Sequence, residues 1–212
     1  MNPSRRWSRG TMAGGVLVTL CVALFALLAS ALIRDELERL DRFGIDLVEP
    51  LRSGFSDVFF AAITWAGSSL VLVPSSALLA WWFRAKGRTL VAPLILAPAL
   101  AVLLQNILKP LFDRTRPEAG VLAELGPSFP SGHSTAAAAV WLTVCYVLIR
   151  ERMLPGIAMI VAWLVMLLVG VSRIYLGVHW PSDVVAGWSV GVIIAVSSAL
   201  TYERVRRARP SP

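Results

Sequence analysis

Apolar residues in this chain come in long unbroken runs rather than in stripes. Six runs stand out: Met12–Ile33, Val58–Phe83, Leu90–Leu108, Gly132–Ile149, Leu154–Val171 and Val184–Leu200. Each is at least as long as the shortest membrane-crossing helices, about 17 residues. The runs are continuous and lack the alternation of period two that a membrane strand requires, so strands are excluded. The pattern predicts an all-α polytopic membrane protein with six transmembrane helices, forming a single membrane-embedded domain over residues 1–212. Pro74, Pro93 and Pro98 fall inside these spans, where a membrane helix tolerates them. The segment Arg34–Asp57 has a different pattern. Leu37, Leu40, Leu47 and Leu51 recur near helical spacing with acids and arginines between them, and Gly44 and Pro50 interrupt the run. That predicts one or two short helices lying in the outer interface rather than a solvated connector.

Composition agrees with a bilayer as solvent. Hydrophobic residues make up 57% of the chain and charged residues 16%, against roughly 25% charged in a soluble domain. The net charge of +7 does not point to nucleic acid, because the cations cluster at the ends of apolar runs and not on one soluble face. With the N-terminus placed in the cytoplasm, the inner segments hold twelve of the 20 basic residues and only two of the 13 acids, Glu151 and Glu203. This is the positive-inside pattern, and it puts both termini on the cytoplasmic side of a cell (inner) membrane. The Arg-rich tail after Tyr202 reads as a membrane-surface anchor. A signal peptide is the competing reading of the first span, given its basic lead (Arg5, Arg6, Arg9) and the small residues Ala29, Ser30 and Ala31. Its apolar stretch exceeds the 7–15 residues of a typical signal, which favours an uncleaved anchor. Cys21 and Cys145 lie inside apolar runs without metal-ligand spacing and read as small packing residues.

Three polar segments break this background, in a motif-bearing core at 105–190. The first runs from Lys109 to Arg116 and Pro117, directly after the third span. The second, Pro130-Ser131-Gly132-His133-Ser134, opens the fourth. The third holds Ser172, Arg173, His179, Pro181 and Asp183, between the fifth and sixth. The span count puts all three on the outer face, and with them both histidines of the chain. Lys109, Arg116 and Arg173 supply cations, and arginine can grip a phosphate through two parallel N–H bonds. Ser131 suits a helix N-cap, and Gly132 lets a ligand approach the backbone. The first amides of the fourth helix then offer an anion site. Pro181 suits the first turn of the sixth helix. Asp183, four residues after His179, is placed to accept a hydrogen bond from one ring nitrogen and leave the other free to attack. Taken singly, each feature has an ordinary explanation: interfacial anchors, helix capping, a structural histidine. Their concentration on one face does not. Spacing alone does not rank His133 against His179 as the nucleophile.

In these residues the chain resembles the type 2 phosphatidic acid phosphatase family, also called the lipid phosphate phosphatase and haloperoxidase superfamily. Within it the chain is similar to bacterial membrane types such as phosphatidylglycerophosphatase B and undecaprenyl pyrophosphate phosphatase. The family pattern is Lys, six residues, Arg-Pro; Pro-Ser-Gly-His; and Ser-Arg, five residues, His, three residues, Asp. Lys109 to Pro117, Pro130 to His133, and Ser172 to Asp183 meet it without departure. The resemblance implies that His179 attacks phosphorus to form a phosphohistidine, that Asp183 orients it, and that His133 protonates the leaving oxygen. It implies that Lys109, Arg116, Arg173, Ser131 and the backbone of Gly132 hold the phosphate oxygens, with no metal and no cofactor.

The expected function is hydrolysis of a lipid phosphate or pyrophosphate monoester at the outer (periplasmic) face, with the bilayer and its lipids as partners and no nucleic acid. Candidate substrates are undecaprenyl pyrophosphate, phosphatidylglycerophosphate and phosphatidic acid, and no residue of the sequence chooses among them. The headgroup falls to the loop Glu118–Gly126 and the Arg34–Ser53 segment, and the lipid tail to a groove between spans. One alternative is transfer of the phosphoryl group from the same intermediate to a lipid or sugar hydroxyl. A lipid-phosphate transporter or flippase is disfavoured, because its spans would carry charges and these carry almost none. A vanadium haloperoxidase is normally soluble, and six spans argue against it.

Overall fold

The structure is a computed structural model that describes residues 9–88, 91–117 and 124–207. Arg5, Arg6, Arg209 and Glu118 lie outside the described residues, as does the side chain of Arg9. The elements among the described residues are helices: α1 (Arg9–Ile33), α2 (Glu38–Val48), α3 (Gly54–Thr64), α4 (Ser69–Ala85), α5 (Ala92–Phe112), α6 (Gly132–Arg150), α7 (Ala158–Tyr175) and α8 (Pro181–Arg207). Short 3-10 turns at Glu49–Leu51 and Trp65–Gly67 follow α2 and α3. Five helices (α1, α5, α6, α7 and α8) are long and apolar enough to cross a membrane. The expected second span is not one straight helix. It is the pair α3 and α4, bent by 46°, and it makes a sixth crossing if the pair counts as one. The break has a local cause. Gly67 sits so close to α6 that a Cβ there would lie 2.9 Å from the His133 carbonyl oxygen. The indole of Trp141 donates to the freed carbonyl of Ala66 at 2.8 Å.

α6 is the central helix, flanked by α5, α7 and α8. Its sequence explains the position: Ala136, Ala137, Ala138 and Ala139 are all buried and keep the helix thin enough to be surrounded. α8 answers with Gly187 and Gly191, a small-xxx-small pair that brings two backbones together in a lipid environment. A Cβ on Gly187 would meet the Ser131 carbonyl oxygen at 2.6 Å, and one on Gly191 the Thr135 carbonyl oxygen at 2.6 Å. Gly191→Val is therefore expected to destabilise the bundle by about 1–3 kcal/mol or more, read as a lower melting temperature in detergent. An unchanged melting temperature would contradict the close packing. Elsewhere α1 packs along α8, and Cys21 and Cys145 join one apolar cluster with Ala138, Leu142 and Met166, as small packing residues should.

The interfacial segment forms a single helix through Gly44 rather than breaking there. Gly44 is where α2 presses on the start of α8: a Cβ would fall 2.5 Å from the ring of Pro181. Leu40, Phe43 and Leu47 remain exposed on α2, an apolar face of the kind an interfacial helix presents. Asp41, by contrast, points inward and is buried. At the far end of the bundle Glu203 and Glu151 are both paired. Glu203 takes Arg150 at 2.6 Å and the Tyr146 hydroxyl at 2.9 Å, and Glu151 takes Arg88 and the Tyr202 hydroxyl.

Candidate active site

Four helix ends meet at one end of the bundle, and each is shaped by its own sequence. α5 runs to Phe112, so Lys109 lies in its last turn and not after it as the apolar run suggested; Asp113, in the left-handed region at φ 42, closes the helix by donating an amide hydrogen bond to the Lys109 carbonyl. α6 starts at the Ser131 cap, whose oxygen accepts from the Ser134 amide and hydroxyl at 3.5 and 3.0 Å. The Ser131 amide in turn donates to the Asp183 carbonyl at 3.0 Å, which ties the start of α6 to the start of α8. α7 ends in a Schellman motif: Gly177 at φ 68 donates to Ile174 O and Val178 donates to Arg173 O, the pairing that left-handed glycine makes possible. That turn delivers His179 two residues later. α8 begins at Pro181, and Asp183 in its first turn accepts the Trp180 amide at 2.9 Å.

Between these ends is a cavity of about 370 Å³ lined by Gln105, Lys109, Arg116, Glu124, Gly132, His133 and His179, with Ser68 and Ser69 from the break before α4. Gly132 is there because its neighbour is close; a Cβ would collide with the Gln105 side chain. His179 is buried, with Nδ1 3.4 Å from Asp183 Oδ2 and Nε2 3.2 Å from Arg116 Nη1. A guanidinium only donates. Nε2 therefore carries the lone pair and Nδ1 the proton, which faces the carboxylate. Burial pushes the imidazole down to about 4; Asp183 works against this through its hydrogen bond and charge, while Arg173 and Arg116 add to the lowering. His179 is neutral at physiological pH, with its unprotonated nitrogen at the cavity.

The most informative neighbour is a carboxylate. Glu124 pairs with Arg173 and, at 3.1 Å, with Arg116, and stands 4.0 Å from His179 Nε2. Burial alone would raise its pKa, but the charge and hydrogen bond of Arg173, helped by both histidines, hold it at about 2. An anion thus already sits where two arginines and His179 Nε2 converge. Arg173 is almost fully buried, held by Thr64 Oγ1 at 2.8 Å, and its Nε has no hydrogen-bond partner among the described residues. A buried donor left unpaired costs roughly 1–3 kcal/mol, and a ligand with a further acceptor oxygen would satisfy it. A larger, mostly apolar groove of about 1020 Å³ lies at the other end, between α1, α6, α7 and α8. Neither histidine lines it, so it is not where this chemistry converges.

Of the eight residues singled out in the sequence, Lys109, Arg116, Gly132, His133 and His179 line the cavity, and Asp183 backs His179. Two are placed differently. Ser131 is wholly buried with its hydroxyl oxygen turned to Ser134, and Arg173 lies behind Glu124. Sequence reasoning missed Glu124 as an individual residue, although its loop was assigned to headgroup contact. It also missed Asp41 and Arg114, which hold Asp183 from behind. Arg114 sits two residues before Arg116 within the first motif, and nothing in the spacing distinguished it.

The PAP2 superfamily pattern matches residues 90–207. Phosphatidylglycerophosphatase B of Bacillus subtilis (strain 168) is 30% identical over 195 residues, which cover 87% of this chain and 94% of that protein. Undecaprenyl-diphosphatase of Sulfolobus acidocaldarius is 34% identical over 139 residues, 62% of this chain and 64% of that protein. Among solved structures, the crystal structure of the first transmembrane PAP2 type phosphatidylglycerolphosphate phosphatase from Bacillus subtilis has a TM-score of 0.83 at 28% identity. The match covers 91% of this chain and 98% of that one.

Proposed function

The chain belongs to the PAP2 superfamily, and from that premise we propose that it hydrolyses a lipid phosphate or pyrophosphate at the membrane surface with His179 as the nucleophile. It is a multi-pass membrane hydrolase of lipid phosphates. The observation that supports the reading of the site is the convergence of Arg116, Arg173 and His179 Nε2 on the Glu124 carboxylate. A phosphoryl group that displaces Glu124 meets the same cations and fills the orphaned Arg173 Nε.

His179 Nε2 attacks phosphorus as the bond to the leaving lipid oxygen breaks. His133, at the start of α6, gives that oxygen its proton. Asp183 accepts a hydrogen bond from Nδ1–H of His179, which keeps its proton, and so stabilises the cationic ring of the phosphohistidine. Water then attacks, passing its proton to His133; the P–N bond breaks and Nε2 regains its lone pair. Lys109, Arg116, Arg173 and the Gly132 amide meet the charge on the phosphoryl oxygens, the kind of preorganised electrostatics that is usually the largest catalytic contribution. Ser131 acts by fixing the start of α6. The four helix ends face the periplasm with both termini in the cytoplasm, as the charge bias supports. The substrate is of the undecaprenyl pyrophosphate, phosphatidylglycerophosphate or phosphatidic acid class, and residues 1–212 act as one domain. Phosphate release from a panel of these lipids by the purified protein in detergent tests the reading; no release from any of them would overturn it.

The shared position of Glu124 and the phosphoryl group has its own test. Glu124→Gln removes the competing charge and is expected to tighten inhibition by orthovanadate about tenfold, equivalent to about 1.4 kcal/mol. Unchanged inhibition would separate Glu124 from the phosphate position.

A further inference from the structure

Beside the nucleophile, two buried carboxylates face one guanidinium. Arg114 donates through Nη1 to Asp183 Oδ1 at 2.6 Å and to Ser182 Oγ at 2.7 Å, and through Nη2 to Asp41 Oδ2 at 2.5 Å. Asp41 closes the ring: it accepts the Ser182 amide at 2.9 Å and the Ser182 hydroxyl at 2.8 Å. Side-chain exposure is 1% for Asp41, 0% for Asp183 and 12% for Arg114. The guanidinium also lies over the Trp180 ring at 5.4 Å, and that indole is tethered to the Thr115 carbonyl at 2.9 Å. Asp41 belongs to α2, the helix that Gly44 seats against Pro181.

The two oxygens of Asp183 are held unequally. Oδ2 takes the Trp180 amide at 2.9 Å and faces His179 Nδ1 at 3.4 Å. Oδ1 is held by Arg114. The carboxylate torsion of aspartate is broad, so without Arg114 it can swing, and Asp183 and Asp41 would confront each other as like charges in a buried site. We propose that Arg114, anchored by Asp41 of the interfacial helix α2, is a positioning residue that fixes the Asp183 carboxylate behind His179. The inference rests on His179 being the nucleophile. It makes the seating of α2 part of the alignment of the reacting nitrogen.

The charge seen by His179 comes from every element around it: Asp183 on α8, Arg114 and Arg116 after α5, Lys109 on α5, Glu124 in the loop, His133 on α6, Arg173 on α7, and Asp41 on α2 behind Arg114. Arg114 offsets the field of Asp183. Removing it leaves Asp183 unopposed, which favours the protonated imidazole. The acid limb of kcat/KM, which reports the free enzyme, should therefore move up.

The test is kinetics on a short-chain phosphatidic acid in detergent, with His179→Ala alongside. Arg114→Gln is expected to lower kcat about 10²-fold, the scale of a misaligned reacting group, with KM within about threefold and the acid limb raised by about one pH unit. Arg114→Lys restores the charge but not the two-pronged grip, so the limb returns towards wild type while kcat stays low. Asp41→Asn lowers kcat less than Arg114→Gln does, and the double variant is no worse than Arg114→Gln alone, because Asp41 acts through Arg114. Wild-type kcat in Arg114→Gln, an unmoved limb, or additive losses in the double variant would overturn the inference. Should Arg114→Gln not purify as a monodisperse protein, wild-type kcat in Asp41→Asn would do so. An active His179→Ala would instead remove the nucleophile on which the inference stands.

Discussion

His179→Ala is expected to abolish phosphate release from every lipid phosphate the wild-type protein accepts, leaving at most about 10⁻³ of the activity, while the variant still inserts and purifies normally. The size follows from the division of labour at the site. In the proposed mechanism His179 supplies the atom that forms the new bond to phosphorus, and among the described residues no other unprotonated nitrogen stands where it does. The fixed cations stay in place, so binding of substrate or orthovanadate should survive even as turnover is lost. Stability should change little. The imidazole is held by Asp183 on one side and Arg116 on the other, but the hydrogen bond that the His179 backbone amide donates to the Arg173 carbonyl, which shapes the turn, is independent of the side chain. Substantial phosphate release by this variant would mean that water is activated directly, without a covalent intermediate.

His133→Ala is expected to show a loss that depends on the leaving group. A general acid contributes about 10²–10⁴-fold when the departing oxygen is a poor leaving group, as a lipid alcohol is. With p-nitrophenyl phosphate, whose phenolate departs without a proton, the first step should be spared. His133 lies at the start of α6, on the cavity wall shared with Lys109 and His179, where it can serve first as acid and then as base. The second step needs it in either case, so the spared substrate should give a burst of nitrophenol followed by a slow steady state. Equal losses with lipid and nitrophenyl substrates would assign His133 to phosphate binding instead.

Much of this architecture is written in the sequence, and what is not has physical causes. Five of the six apolar runs coincide with helices long and apolar enough to cross a membrane, and the second with the bent pair α3 and α4, because a bilayer demands length and apolarity and little else. The break at Trp65–Gly67 escapes that reading: Gly67 is set by contact with α6, and hydropathy carries no trace of it. The close approach of Gly187 and Gly191 on α8 to Ser131, Thr135 and Ala138 at the start of α6 was available as a small-xxx-small spacing. The motif residues are legible because their spacing is fixed by short turns, such as the Gly177 turn that carries His179. Glu124 and Asp41 are not, for the opposite reason. Each comes from outside the motifs, one on a loop and one on a surface helix, and only the fold brings them to the arginines. In α2 the charge pattern also misleads. Acids on an interfacial helix belong to its wet face, yet Asp41 turns inward because Arg114 and Ser182 wait there.

The central claim is a covalent phosphoryl group on His179 Nε2. The most direct measurement is rapid quenching of the purified protein mixed with a lipid phosphate labelled on phosphorus, followed by mass spectrometry of its peptides. The wild-type protein should carry a phosphoryl group on the peptide containing His179, labile to acid and stable to alkali. The label should be absent from His179→Ala and accumulate in His133→Ala given a good leaving group. Turnover without label on His179 under those accumulating conditions, or label found on His133, would contradict the account.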